Sequence, residues 1–281
     1  MKDLAIIEGV MTVSAQYFQA SESKTVEDAL VEEGPLQIVL NGAPFSVTMR
    51  TPGEDALLAQ GLLFTEGILK RFAQVRACKV IASEEGRAAE VQIELAAEQI
   101  FEKEGNPKKV GAGRRLISNA SCGVCGITSS EDLQKPIVRK HEHRMDMEML
   151  PTLAAKMRGA QLIFQMTGGS HAAAMFDIAG EMLVIKEDVG RHNAVDKAIG
   201  YLLEKGLMGD AAILFVSGRV SYEIVTKASR AGVAFLVAVS APSTLAVSLC
   251  IEAGITLIGF CRGQKATVYS HSDAVNMGKL S

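Results

Sequence analysis

The sequence predicts an α/β fold in which a β/α layer domain follows a smaller N-terminal α+β domain. Three observations carry that expectation. After Pro151, short apolar runs alternate with helical stretches of about ten residues, the pattern of a largely parallel sheet. Before residue 105, strand-like runs gather around a single helix. Between them, Gly105-Asn106-Pro107-Lys108-Lys109-Val110-Gly111-Ala112-Gly113-Arg114-Arg115 is rich in glycine and basic residues and reads as a loop. A boundary near residue 116 gives units of 1–115 and 116–281.

The elements follow in order. Leu36–Leu40 and Phe45–Met49 are strand-like and flank Asn41-Gly42, a hairpin signal. Thr51-Pro52-Gly53-Glu54-Asp55 opens a helix, with Ala56, Leu57, Ala59, Gln60, Leu63 and Phe64 at helical spacing. Val75–Ala82 and Glu90–Leu95 are further strands. In the second half, Met175–Ile178 and Met182–Ile185 are strands around a turn at Gly180, and Ala172–Ala174 is helix-compatible. Asn193–Leu203 is helical, Ala212–Val216 a strand and Ser221–Arg230 a helix. Phe235–Val239, Ser243–Ala253 and Thr256–Phe260 complete the alternation. Met145, Met147 and Met149 are read as packing residues rather than metal ligands.

Composition excludes several classes. The chain has 281 residues, 48% of them hydrophobic and 22% charged, which is a folded globular protein. At roughly 150 residues per domain its length suggests about two domains. The net charge of −3 offers no global basic excess for nucleic acid or an anionic membrane. Any anionic ligand must meet a local patch. Asp3 and Glu8 interrupt what would have to be a signal core, and no apolar run approaches the roughly 18 residues of a membrane span. A cytoplasmic protein is expected. Its five cysteines, 78, 122, 125, 250 and 261, do not suggest a secreted disulfide framework.

Ser121-Cys122-Gly123-Val124-Cys125-Gly126 carries the sharpest chemical signal. Two thiols three positions apart suit a zinc half-site, which needs two more ligands; His141 and His143 follow, but with unusual spacing. They also suit a dithiol oxidoreductase, although a Gly- and Arg-rich loop stands where a thioredoxin-like unit is wanted. A persulfide carrier needs a nucleophilic thiolate near cations, and Lys108, Lys109, Arg114 and Arg115 lie just upstream. Two buried thiols in a glycine turn are the bland alternative. Spacing does not decide among these.

The other candidate sites sit at turns. Thr167-Gly168-Gly169-Ser170-His171 can offer backbone N–H groups to an anion, or be a simple tight turn. In Glu187–Lys197 a strand passes through Gly190 into a helix, where Arg191 and Lys197 could reach an anion and His192 and Asp196 are i,i+4 neighbours. Capping and surface pairing are the alternative. Ser217-Gly218-Arg219 and Ser240–Thr244 follow successive strands, where open α/β sheets bind ligands, although Ser221 and Ser243 are also sensible helix caps. Phe260-Cys261-Arg262-Gly263-Gln264-Lys265 sets cations beside a glycine, as a phosphate contact or a solvated turn.

Taken together and in this order, these motifs resemble the FdhD family of formate dehydrogenase accessory proteins. The resemblance rests on MRTPGED with GLLFTEGI (49–68), SCGVCG (121–126), TGGSHAAA (167–174), EDVGRHNAVDKAIG (187–200), SGRVSYEIVTKASRAG (217–232), VSAPSTLAV (239–247) and GITLIGFCRG through VYS (254–270). It implies a sulfur carrier: a cysteine desulfurase loads a persulfide on Cys122, with Cys125 assisting. The sulfur then passes to the molybdenum of a bis(molybdopterin guanine dinucleotide) cofactor before insertion into formate dehydrogenase. By the same resemblance Phe260–Lys265 lies in the cofactor-binding region, the main domain is cytidine deaminase-like, and the protein is a homodimer. Several phosphates on such a cofactor would suit Gly169, His171, Arg191, His192, Arg219 and Arg262. A zinc deaminase is disfavoured, since that chemistry needs H-x-E and P-C-x-x-C. Here Ala172 and Ala173 follow His171, and Ser121 precedes Cys122.

Overall fold

The computed structural model describes residues 7–82, 89–96, 116–118, 136–139 and 142–276. Cys122 and Cys125, Lys108 to Arg115 and His141 lie outside the described residues.

The chain opens with a hairpin that the sequence reading did not assign. β1 (Val10–Gln19) and β2 (Glu22–Val31) form an antiparallel two-stranded ribbon in continuous register. Its signal is the alternation of Met11, Val13, Ala15 and Tyr17 with Thr12, Ser14 and Gln16, which places apolar side chains on one face.

The N-terminal α+β unit follows. β3 (Gly34–Leu40) and β4 (Ala43–Arg50) pair through Asn41-Gly42, where both residues take positive φ, as a tight hairpin turn requires. After α1 (Asp55–Thr65) come β5 (Val75–Ala82), β6 (Ala89–Leu95) and β7 (Leu116–Ser118). The sheet order is β5-β6-β3-β4-β7. Leu36, Ile38, Val91 and Ile93 from the sheet meet Leu58 and Leu63 of α1, and Leu203 from the second unit joins the same core.

The second unit starts with β8 (Met145–Asp146), α2 (Leu150–Ala160) and α3 (Leu162–Thr167). Its framework is β9 (His171–Phe176), β10 (Met182–Asp188), α4 (Arg191–Lys205), β11 (Ile213–Val216), α5 (Tyr222–Ala231), β12 (Phe235–Ala238), α6 (Thr244–Ala253), β13 (Thr256–Arg262), β14 (Lys265–Val268) and β15 (Val275–Asn276). The central sheet runs β10-β9-β11-β12-β13-β14. Only the β11–β12 and β12–β13 pairings are parallel; β10–β9, β9–β11 and β13–β14 are antiparallel. The expected largely parallel sheet is thus a mixed one. The cause is local, because the turns at Gly180 and Gly263 fold the outer strands back as hairpins.

Alternation along the central strands builds two cores. Leu214, Val216 and Leu236 face α4, α5 and α6, while Phe215, Phe235 and Val237 face α2 and the Met145 segment. Met145 is buried in that second core, which matches a packing role. Ser243 caps α6 by accepting from the Ala246 N–H, as its sequence position suggests. Ala172–Ala174, in contrast, are strand and not helix: they lie inside β9, hydrogen-bonded between β10 and β11. Among the described residues no helix is long and apolar enough to cross a membrane.

The two units meet through α1 and α4 at backbone distance. A Cβ on Gly61 would stand 1.9 Å from the Asp196 carbonyl oxygen, and one on Gly200 would stand 2.0 Å from that of Leu57. Buried charge stitches the same seam. Lys227 Nζ lies 2.7 Å from Asp196 Oδ2, and Thr65 Oγ1 donates to Asp196 Oδ1 at 2.9 Å.

Candidate functional site

Strand direction decides where the chemistry collects. β10 ends where β9 begins, and Asp188 is in register with His171. β11, antiparallel to β9, ends beside the same residues, and β12 and β13 run parallel to it. The turns after β10, β11, β12 and β13 therefore share one edge of the sheet, together with the start of β9. This is the edge at which open α/β sheets bind ligands.

At its centre, His171, Arg191, His192 and Arg219 come together. Ser217 Oγ accepts from the Ala172 N–H at 2.9 Å and lies 3.3 Å from His171 Nδ1. Gly218 admits this crowding: a Cβ there would stand 3.3 Å from Arg191 Cδ and 3.4 Å from His171 Nδ1. Burial lowers the His171 pKa, and the Arg191 and Arg219 charges push in the same direction, so its imidazole is neutral at physiological pH. Burial also lowers the Arg191 pKa, with Arg219 as the next cause. Arg191 Nε is buried and has no hydrogen-bond partner among the described residues. Two guanidiniums that repel each other, one with an orphaned buried donor, are chemically suited to a multiply charged anion.

His192 sits one layer deeper. Its Nε2 lies 3.0 Å from Glu223 Oε2 and 3.3 Å from Ser221 Oγ. The carboxylate favours an imidazolium, yet burial, Arg191 and Lys227 outweigh it and push His192 down to about 3. Neutral His192 thus donates from Nε2 to the Glu223 carboxylate. Glu223 and Lys227 were missed from sequence, although their i,i+4 spacing on α5 was a readable signal. Ser221 occupies the N-cap position of α5 without a side-chain capping bond, its hydroxyl being turned to His192 instead.

The turn after β10 is held rigidly. Asp188 is fully buried, accepts from the Gly190 and Thr51 N–H groups and pairs with Lys197 at 2.8 Å. Lys197 also donates to the Thr51 carbonyl at 2.9 Å. Lys197 is therefore a buried structural cation, which corrects the expectation that it could reach an anion.

The remaining sequence candidates are spread along the edge. Gly169 stands apart, against Val31 of β2, and Gly168 ends α3 instead of opening a helix, so the expected anion-binding helix start is absent there. At the far end, Arg262 Nε donates to the Val239 carbonyl at 3.0 Å, and Phe260 is exposed. Gly263, Gln264 and Lys265 line a cavity of about 360 Å³ with Met147, Glu148, Leu150 and Pro151. Cys261 is buried in the second core, which Leu150 and Met147 of that cavity also join, and burial pushes its thiol up to about 11. Within that turn, Cys261 has only its backbone to offer a ligand.

Comparisons with known proteins agree with this arrangement of motifs. The model of the FdhD/NarQ family matches residues 31–276. The sulfur carrier protein FdhD of Streptomyces coelicolor is 41% identical over 257 residues, covering 89% of this chain and 90% of that protein. The one from Sulfolobus acidocaldarius is 36% identical over 252 residues, covering 89% and 92%. A crystal structure described as a formate dehydrogenase accessory protein from Desulfotalea psychrophila superposes with a TM-score of 0.73 at 19% identity, over 95% of this chain and 99% of that one, which supports a shared fold. With the family model spanning the motif-bearing edge and both sheets beneath it, the chain belongs to the FdhD/NarQ family.

Proposed function

We propose that this protein is a sulfur carrier for formate dehydrogenase maturation. A cysteine desulfurase presents a persulfide; the Cys122 thiolate attacks its outer sulfur, the donor S–S bond breaks, and the donor cysteine leaves as thiolate. Cys122 then carries the sulfur to the molybdenum of a bis(molybdopterin guanine dinucleotide) substrate, with Cys125 assisting. On this reading the protein works in the cytoplasm as a homodimer, and its second unit has cytidine deaminase-like layering.

The observation that carries the reading is the paired guanidinium site. Arg191, Arg219 and neutral His171 meet at the sheet edge beside the first turn of α4, where backbone N–H groups also favour anions. Such a site fits the phosphates of a dinucleotide, and the Phe260–Lys265 turn gives a second contact on the same edge. Covalent connection supports a short path from the thiols. Ser118 is in register with Thr48, whose Oγ1 lies 3.5 Å from Asn193 Oδ1 in the first turn of α4. Four extended residues span at most about 14 Å, which bounds the distance from Ser118 to Cys122.

The test is intact-protein mass after incubation with a cysteine desulfurase and cysteine, run on wild type, Cys122→Ala and Cys125→Ala. The expected result is a reducible gain of one sulfur in the wild type that vanishes in Cys122→Ala. No gain with an active desulfurase would overturn loading on the free protein and favour a metal or redox role for the cysteine pair.

A further inference from the structure

Within the guanidinium site, His171 faces an uneven set of charges. Burial and Arg191 act against its imidazolium, Asp188 favours it, and Arg219 opposes it again. His192, which senses the His171 charge, is itself neutral. Asp188 is already engaged: it pairs with Lys197 at 2.8 Å and accepts from the Thr51 and Gly190 N–H groups and from Asn193 Nδ2. Glu223, the acid that acts on Arg191, is held by His192 Nε2 at 3.0 Å. Both nearby carboxylates thus have other partners, and a new negative charge would have the largest leverage on the ring.

The packing brings such a charge within reach. Arg191 and His171 lie over the same backbone, since a Cβ on Gly218 would meet Arg191 Cδ at 3.3 Å and His171 Nδ1 at 3.4 Å. An anion held by Arg191 is therefore a neighbour of the imidazole. Ser217 suits either state of that ring. Its Oγ accepts from the Ala172 N–H at 2.9 Å and lies 3.3 Å from Nδ1. The hydroxyl can donate to a bare Nδ1, or use its second lone pair to accept from a protonated one. Protonation then costs no hydrogen bond at Nδ1 and leaves Nε2–H as a charged donor for a phosphate oxygen.

We propose that His171 is a proton-coupled ligand for pyrophosphate: neutral in the free protein, it takes up a proton as the anion joins Arg191 and Arg219, and holds that anion as an imidazolium. The inference rests on the phosphate site of the functional reading and gives it a third, ligand-dependent cation. No covalent bond changes; the proton comes from solvent and returns there on release. Linkage sets the sign. The imidazole binds its proton more tightly in the complex, so affinity rises as pH falls through that range, by up to about tenfold per pH unit. The rise ends where the free protein is protonated as well.

Calorimetry of the full chain with diguanosine pyrophosphate tests this, because the diester phosphates of that probe do not titrate between about pH 5 and pH 8. Binding heats in two buffers of different ionisation enthalpy count the protons taken up. The expected result is an uptake approaching one proton per ligand on the acid side of that range, with affinity rising in step. His171→Asn keeps a polar partner for Ser217 but cannot titrate, and should bind without uptake and with a flat pH profile. In the wild type, nuclear magnetic resonance of the His171 ring should show titration at higher pH with the probe than without it. Binding without uptake, uptake that survives His171→Asn, or a ring titration unmoved by the probe would overturn the proposal and leave the phosphate site standing. Absence of binding at every pH would overturn the phosphate site and the proposal together, while sulfur loading of Cys122 is read separately.

Discussion

At the residue scale, environment assigns the roles. His171 and His192 lie together in space, and both imidazoles are kept neutral by burial first and then by nearby cations, Arg191 and Arg219 at His171 and Arg191 and Lys227 at His192. For His192 the consequence is a stability slope. Its folded pKa of about 3 is below the ordinary imidazole value of 6.5, so on acidification the unfolded chain takes up a proton that the folded one refuses. Stability held above pH 6.5 is then lost as pH falls, by up to about 1.4 kcal/mol per pH unit. Glu223, whose carboxyl is raised by burial, acts in the opposite sense in the carboxylate range. Urea unfolding from neutral pH to about pH 5 should show a shallower loss for His192→Asn than for wild type. Equal slopes would mean that His192 titrates normally in the fold. The sequence names both histidines, but only the surrounding charges and burial say that neither is a cation.

At the element scale, α1 and α4 are the joint of the molecule. Their approach depends on the missing side chains of Gly61 and Gly200, where an added Cβ would stand 1.9 Å and 2.0 Å from backbone carbonyl oxygens. Backbone cannot yield as a flexible side chain can. Gly61→Ala or Gly200→Ala should therefore cost about 3 kcal/mol or more in chemical denaturation, whereas Gly159→Ala, with nothing within 4 Å, should cost little. A small effect at both joint positions would show that the helices can separate without loss. Helix existence was legible from apolar spacing and turn residues, as with Thr51 to Asp55 before α1. The mixed strand directions were not, because periodicity reports which face a residue occupies and says nothing of which way the neighbouring strand runs.

At the scale of the whole molecule, one sheet edge gathers residues 171, 191, 192, 219 and 260–265 from three separate turns and the start of β9. If the guanidinium pair receives phosphates, Arg191→Ala with Arg219→Ala should abolish calorimetric binding of guanosine diphosphate while leaving sulfur loading of Cys122 intact. Retained nucleotide binding would move the phosphate site elsewhere on the edge. The residue content of that edge was determined by sequence alone: the order of the motifs, the glycine turns between them, the cations within them and the family they resemble. Tertiary structure decided which of those residues converge and which are spent on the fold. Lys197 and Cys261 carry the same chemistry as their exposed counterparts, yet Lys197 is buried against Asp188 and Cys261 lies in the second core. The physical reason is that a side chain's charge and reactivity depend on its desolvation and its neighbours, which long-range packing sets. Local spacing places a residue on its element and leaves those neighbours open.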